Sequence, residues 1–207
     1  MKRARGQKGV GAGFGRQKDK PAGSVHDMDG RWLDVSPEQT LHAAEAAGGF
    51  EQLHLAYFDA VADLVAALKP EVVGHIDLVR KFEPAGFAFS KRVMTRVEQA
   101  LQVVRDTGAV LDVNWGAWRR GYGPVYPLLE ILRLAHRMGI GVTLGDDSHG
   151  VASVGVGLEA SVAAIREAGY HEVQRLERSV DGVYWTPVSI AELRPFSGAR
   201  ELDDAGE

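Results

Sequence analysis

Three short apolar runs, separated by helix-patterned stretches and each closed by polar side chains, constrain this chain more than anything else in it. They are residues 71–76, ending at His75 and Asp77; 109–113, followed by Asn114; and 140–144, running into Gly145-Asp146-Asp147-Ser148-His149. Apolar runs this short, rich in β-branched residues, read as buried strands. Between them Val93, Val97, Leu101 and Val104 recur at helical spacing behind a capping Ser90, and residues 128–138 read as a helix stopped by Gly139. Strand–helix–strand alternation with short connections means parallel pairing, so the expected class is α/β. In such folds, ligand-binding and catalytic groups gather at the carboxyl ends of the strands. One polar strand ending means little, but three in succession suggest a site.

Upstream, Ser36-Pro37-Glu38-Gln39 combines a capping hydroxyl, a proline at the first helical position and a glutamine three residues on, which together start a helix. Gly48-Gly49 ends it. Leu53, Tyr57, Val61, Leu64 and Leu68 mark a second helix, closed by Lys69-Pro70. Downstream, residues 158–168 read as a helix and 172–176 as a last short strand. Residues 1–20 carry Gly at 6, 9, 11, 13 and 15 and seven Lys or Arg against Asp19 alone. They have nothing to bury and are expected to be a disordered basic tail, with the folded part over 21–195 and a flexible end over 196–207. Their glycines lack the spacing and the preceding strand of a dinucleotide loop.

Composition removes several classes. With no Cys there are no disulfides and no thiolate metal sites, so any metal is held by His and carboxylates. No apolar run approaches the roughly 18–20 residues of a membrane span, and the start lacks a signal-peptide core; the expectation is a cytoplasmic protein. The net charge is −4 overall and +6 in residues 1–20, which leaves −10 for the rest. So negative a body argues against nucleic acid as its main ligand. Neither a Gly-x-Ser-x-Gly elbow nor a Cys nucleophile is present.

Asp147 and His149 lie two apart after an extended run, so both side chains can reach one point; that pair suits zinc, manganese or iron. The alternative is a helix-capping Asp beside a surface His. His75 at its strand end is open to a rim or core role, and Asp77 to orienting a neighbour or capping the next element. His26 says almost nothing alone, while His42 and His54 read as structural and His136 and His171 as surface or edge residues. The loop Asn114-Trp115-Gly116-Ala117-Trp118-Arg119-Arg120-Gly121 carries two guanidiniums, which grip phosphate bidentately or lie on the surface over the packed Trp rings.

Taken in order, Gly-Ser-Val-His at 23–26, Glu-Val-Val-Gly-His-Ile-Asp-Leu at 71–78, Leu-Asp-Val-Asn at 111–114 and Thr-Leu-Gly-Asp-Asp-Ser-His at 143–149 form a pattern. It resembles the histidinol-phosphatase branch of the PHP (polymerase and histidinol phosphatase) superfamily, over about residues 22–192. The resemblance implies a distorted β/α barrel with parallel strands, holding divalent metal ions: zinc, manganese or iron. It implies hydrolysis of a small phosphate ester, L-histidinol phosphate, to L-histidinol and phosphate in histidine biosynthesis. By position it makes His26, His75, Asp147 and His149 metal ligands, with Asp147 and His149 at the catalytic centre. Arg119 is then the expected phosphate ligand, Arg80 a further one, and Asn114 a residue that shapes the loop.

The sequence also departs from that family's pattern, in which a strand bearing His-x-His, a further His and a Glu come first. No His-x-His occurs in this chain, and Arg16-Gln17-Lys18-Asp19-Lys20-Pro21 stands where an apolar strand would precede Gly23. The expectation is therefore an incomplete, truncated barrel with little or no activity of its own and with open sheet edges that favour self-association. A non-catalytic metal-binding remnant, or a related phosphoesterase with another substrate, is the alternative.

Overall fold

The computed structural model describes residues 22–84, 86–121, 125–180 and 182–193, so the expected tails over 1–20 and 196–207 lie outside the described residues. Two short strands, β2 (Asp27–Met28) and β3 (Arg31–Trp32), open the ordered chain after β1 (Ala22–Gly23). They form an antiparallel hairpin turning on Asp29 and Gly30, both at positive φ, as an Asp-Gly turn between strands requires. Helix α1 (Pro37–Ala47) starts as its sequence dictates: the Ser36 hydroxyl accepts the Gln39 N–H, and Gly48 ends it in the left-handed conformation. Helix α2 (Phe50–Leu68) buries Leu53, Tyr57, Val61 and Leu64 before Lys69 caps it.

The sheet is parallel throughout, in the order β1, β4 (Val72–Val73), β5 (Val110–Asn114) and β6 (Val142–Gly145). Helix α3 (Lys91–Thr107), capped by Ser90, links β4 to β5; the short α4 (Gly116–Arg119) and α5 (Leu129–Arg137) link β5 to β6. Helix α6 (Leu158–Glu167) then leads into β7 (Glu172–Ser179), which lies beside β6 and pairs antiparallel with β8 (Gly182–Ser189). Every residue of β5 is buried, and one core joins the α1, α2 and α3 faces to the sheet through residues such as Tyr57, Phe58, Val97, Leu101, Leu111 and Ile131.

The structure differs from the sequence reading at several elements. The run 71–76 keeps only two residues in the ladder, because His75 takes a positive φ and turns the chain into a 3-10 turn at Leu78–Arg80. The last strand runs to Ser179 rather than 176, since β8 supplies a partner along its whole length. Both β1 and β8 went unread: β1 is two residues long, and β8 mixes polar residues and Pro187 along an exposed ribbon. Among the described residues no helix is long and apolar enough to cross a membrane.

Candidate functional site

The strand ends deliver His75 from β4, Asn114 from β5, and Asp147 and His149 from β6 to one end of the sheet. The β2–β3 hairpin faces that end and brings His26. His26, His75, Asp147 and His149 all line a single cavity of about 240 Å³. His75 and Asp147 reach it in a backbone conformation that L residues seldom adopt, with φ of 25° and 54°. Strained backbone of this kind collects at functional sites, where the surrounding structure holds it.

The cavity wall also contains three groups that the sequence reading did not name, Asp34, Lys81 and Tyr126, together with Arg120, the second guanidinium of the 114–121 loop. Asp34 bonds to His26 Nδ1 at 2.9 Å, and the Ser24 hydroxyl to His26 Nε2 at 2.9 Å. A carboxylate at Nδ1 fixes the tautomer and leaves the Nε2 lone pair as acceptor. Burial pushes the Asp34 carboxyl up, but the His26 hydrogen bond and the charges of His26 and Lys81 outweigh it and hold it below the usual value. The His26 and His75 rings meet edge to face with centroids 4.9 Å apart. Burial, with the His26 charge, pushes the His75 imidazole down, so it is neutral at pH 7 with a lone pair available. Its Nδ1 is buried without a hydrogen-bond partner, and so is the Tyr126 hydroxyl. Buried polar atoms left this way are costly unless a ligand or ion meets them.

The residues read as phosphate ligands are placed otherwise. Arg119 does not line the cavity. Its guanidinium bonds to the Asp146 carboxylate at 2.8 Å and to the carbonyls of Asp146, Asp147, Ser153 and Val156. It ties α4 to the loop over 146–156 through both terminal nitrogens. Asp146 is the anchor. Burial raises its carboxyl, yet bonds from Ser148, the Gly155 N–H and Arg119 prevail and hold it low. Arg80 is buried: it pairs with Asp77 at 2.8 Å, donates to the Val125 carbonyl at 2.8 Å and lies over the Tyr126 ring. It supports the cavity from behind.

Asn114 sits beneath the site. Its Nδ2 donates to Asp112 at 3.1 Å, and its Oδ1 accepts the Gly116 N–H at 2.8 Å. Asp112, in the middle of β5, has its carboxyl pushed up to about 6 by burial. It fits only because β6 has a glycine there: a Cβ on Gly145 would stand 1.6 Å from Asp112 Oδ1. Likewise a Cβ on Gly116 would lie 2.8 Å from Asp147 Oδ2. The glycines thus make room for carboxylates under and beside the cavity.

The donor set suits a borderline divalent cation: imidazoles and carboxylates around one cavity, one ring nitrogen buried and unpartnered. His26, His75, Asp147 and His149 are the residues that would hold it. Among the described residues, however, no three His or acidic groups are drawn around a common point. Arg120 bonds instead to Asp147 Oδ2 at 3.3 Å and to His149 Nδ1 at 2.8 Å.

Known proteins bear on this arrangement. Over 165 residues the chain is 32% identical to the probable histidinol-phosphatase of Schizosaccharomyces pombe, a match that takes in 77% of this chain and 54% of that protein. It is 32% identical over 152 residues to the probable histidinol-phosphatase of Deinococcus radiodurans, covering 73% and 55%. This chain is homologous to the histidinol-phosphatases. It spans about half the length of the histidinol-phosphatases it matches. A solved Listeria monocytogenes structure, assigned as the histidinol phosphatase hisK, superposes with a TM-score of 0.57 at 32% identity, over 66% of this chain and 55% of that one. A second histidinol-phosphatase structure, from Lactococcus lactis and complexed with zinc, L-histidinol and phosphate, shares the fold at a TM-score of 0.54 and 19% identity, over 73% and 57%. No protein-family model matches the chain.

Proposed function

We propose that the cavity at the strand ends is a divalent-metal site for hydrolysis of a small phosphate monoester, L-histidinol phosphate. The convergence of His26, His75, Asp147 and His149 on one cavity carries this reading, and homology to histidinol-phosphatases supports it. A divalent ion bound among these donors supplies an acidified water and neutralises charge on the phosphoryl oxygens. Asp34 keeps the His26 ring oriented, and burial keeps His75 neutral, so the His75 imidazole presents a lone pair rather than a proton. Lys81 and Arg120 put positive charge on the cavity wall, where an incoming phosphate meets it. The phosphate-facing guanidinium is Arg120 in this reading, since Arg119 is committed to the 146–156 loop. The working compartment is the cytoplasm and the partner a small molecule; nucleic acid has no part, and open sheet edges favour self-association.

The test is phosphate release from L-histidinol phosphate by the purified 207-residue chain with manganese or zinc, beside His75→Ala and Asp147→Asn. Slow release that disappears on chelation and in both variants is the expected result. Release indifferent to chelation and to both substitutions would refute the reading. A second reading, a non-catalytic metal-binding protein, is favoured by the Arg120 contacts on Asp147 and His149. Intact metal binding without any phosphate release would decide for it.

A further inference from the structure

We infer that Arg120 is a built-in counter-cation of the Asp147–His149 pair, so that its guanidinium and a divalent ion compete for the same two side chains. The inference rests on the metal-site reading above and concerns how strongly that site holds its ion.

Three observations carry it. First, the contacts are to the atoms a metal would need: Arg120 Nη1 reaches Asp147 Oδ2 at 3.3 Å, and Arg120 Nη2 approaches His149 Nδ1 at 2.8 Å. A guanidinium has donors only, so the imidazole nitrogen facing it is the acceptor, with its lone pair turned to the cation. Second, the two neighbouring arginines divide the work. Arg119 is locked into the 146–156 loop by five bonds, whereas Arg120 is about a third exposed and, among the described residues, its side chain bonds to the Asp147–His149 pair. Third, the charges on the wall already balance: Lys81 and Arg120 face Asp34 and Asp147. A dication entering this balanced wall meets like charge unless one cation leaves. Lys81 is tied to the Asp34 carbonyl at 2.6 Å, so Arg120 is the group free to swing out.

Binding of an ion at Asp147 and His149 therefore requires Arg120 to withdraw, and the withdrawn guanidinium stays within the cavity mouth to meet an anion. Arg120 acts here as a positioning residue that sets ion affinity. Its removal should tighten binding rather than weaken it, the opposite of what loss of a supporting residue does.

The experiment is manganese titration of the full chain by calorimetry and by electron paramagnetic resonance, without substrate, comparing wild type with Arg120→Ala, Arg120→Gln and Arg120→Lys. Circular dichroism confirms that each variant is folded, and Arg120→Gln preserves bulk should the alanine variant fold poorly. Both charge-removing variants should bind manganese about tenfold more tightly, with Arg120→Lys near wild type. Equal or weaker binding in Arg120→Gln, with wild-type binding measurable, would overturn the inference and leave the metal site standing. Failure of every variant and of wild type to bind manganese would overturn both. A nuclear magnetic resonance readout adds a check: zinc should shift the His149 ring nitrogens at lower zinc concentration in Arg120→Gln than in wild type.

Discussion

Neighbouring residues can do unlike work, and Arg119 with Arg120 shows why sequence alone did not separate them. Consecutive positions on a helix point about 100° apart, so on α4 one guanidinium turns to the 146–156 loop and the next to the cavity. Nothing in Trp-Arg-Arg-Gly says which is which. Arg119→Ala should therefore act on stability, with a loss of about 2–4 kcal/mol from the uncompensated Asp146 carboxylate and opened loop carbonyls; urea denaturation measures it. A loss confined to catalysis, with stability unchanged, would contradict that placement. Glu83 offers a second residue-scale prediction. Its carboxylate lies 3.4 Å from His54 Nε2, and His54 is packed edge-on among Phe50, Phe87 and Phe89. Burial pushes Glu83 up to about 7 and His54 down to about 4. A carboxyl raised in the folded state contributes stability that is complete below its unfolded value of 4.5 and lost as pH rises through about 7. His54, depressed from 6.5, contributes stability present above 6.5 and lost as pH falls toward about 4. Glu83→Gln removes the first effect only, so its melting temperature relative to wild type should climb by a few degrees between pH 5 and pH 8.

At the scale of elements, β5 and β6 hold the site by trading side-chain volume. Asp112 fills the space that Gly145 leaves, in a register that pairs Asn114 with Gly145. Gly145→Ala should cost about 2–4 kcal/mol, and it should cost less when Asp112 is already alanine. A double-mutant cycle reads this coupling, and strictly additive losses would show that the two positions are independent. Much at this scale was legible. The helices followed from capping residues and apolar spacing, and the parallel sheet from alternation. The convergence of His75, Asp147 and His149 was foreshadowed by strand ends, because strand ends are where a parallel sheet exposes polar groups. The β2–β3 hairpin was missed although Asp29-Gly30 announces it, since the flanking strands are too short to alternate. That hairpin returns Asp34 to His26, eight residues upstream, a contact no spacing rule predicts. Lys81 and Tyr126 were likewise invisible, as loops deliver both.

For the whole molecule, a cation that binds only the folded chain links occupancy to stability. Manganese at a hundred times its dissociation constant should add about 2.7 kcal/mol and raise the melting temperature; His75→Ala should abolish the rise. A melting temperature indifferent to manganese would count against the site. The sheet order also matters here. It begins with the two-residue β1, whose outer edge has no strand partner among the described residues. Sedimentation over a range of concentrations should show reversible self-association.

The Arg119 tie has a mechanical consequence. It binds α4 and the 146–156 loop into one piece, so Ala117 and Arg120 on one segment, and Asp147 and His149 on the other, breathe together. The opposite jaw, with His26 and Asp34, belongs to the hairpin and hangs from the Leu33 N–H to His26 carbonyl bond. In amide exchange, residues 116–119 and 146–156 should therefore share one opening free energy, and 26–34 should follow a different one. The cavity would then open like a vice with one fixed jaw, admitting its ligand from the hairpin side.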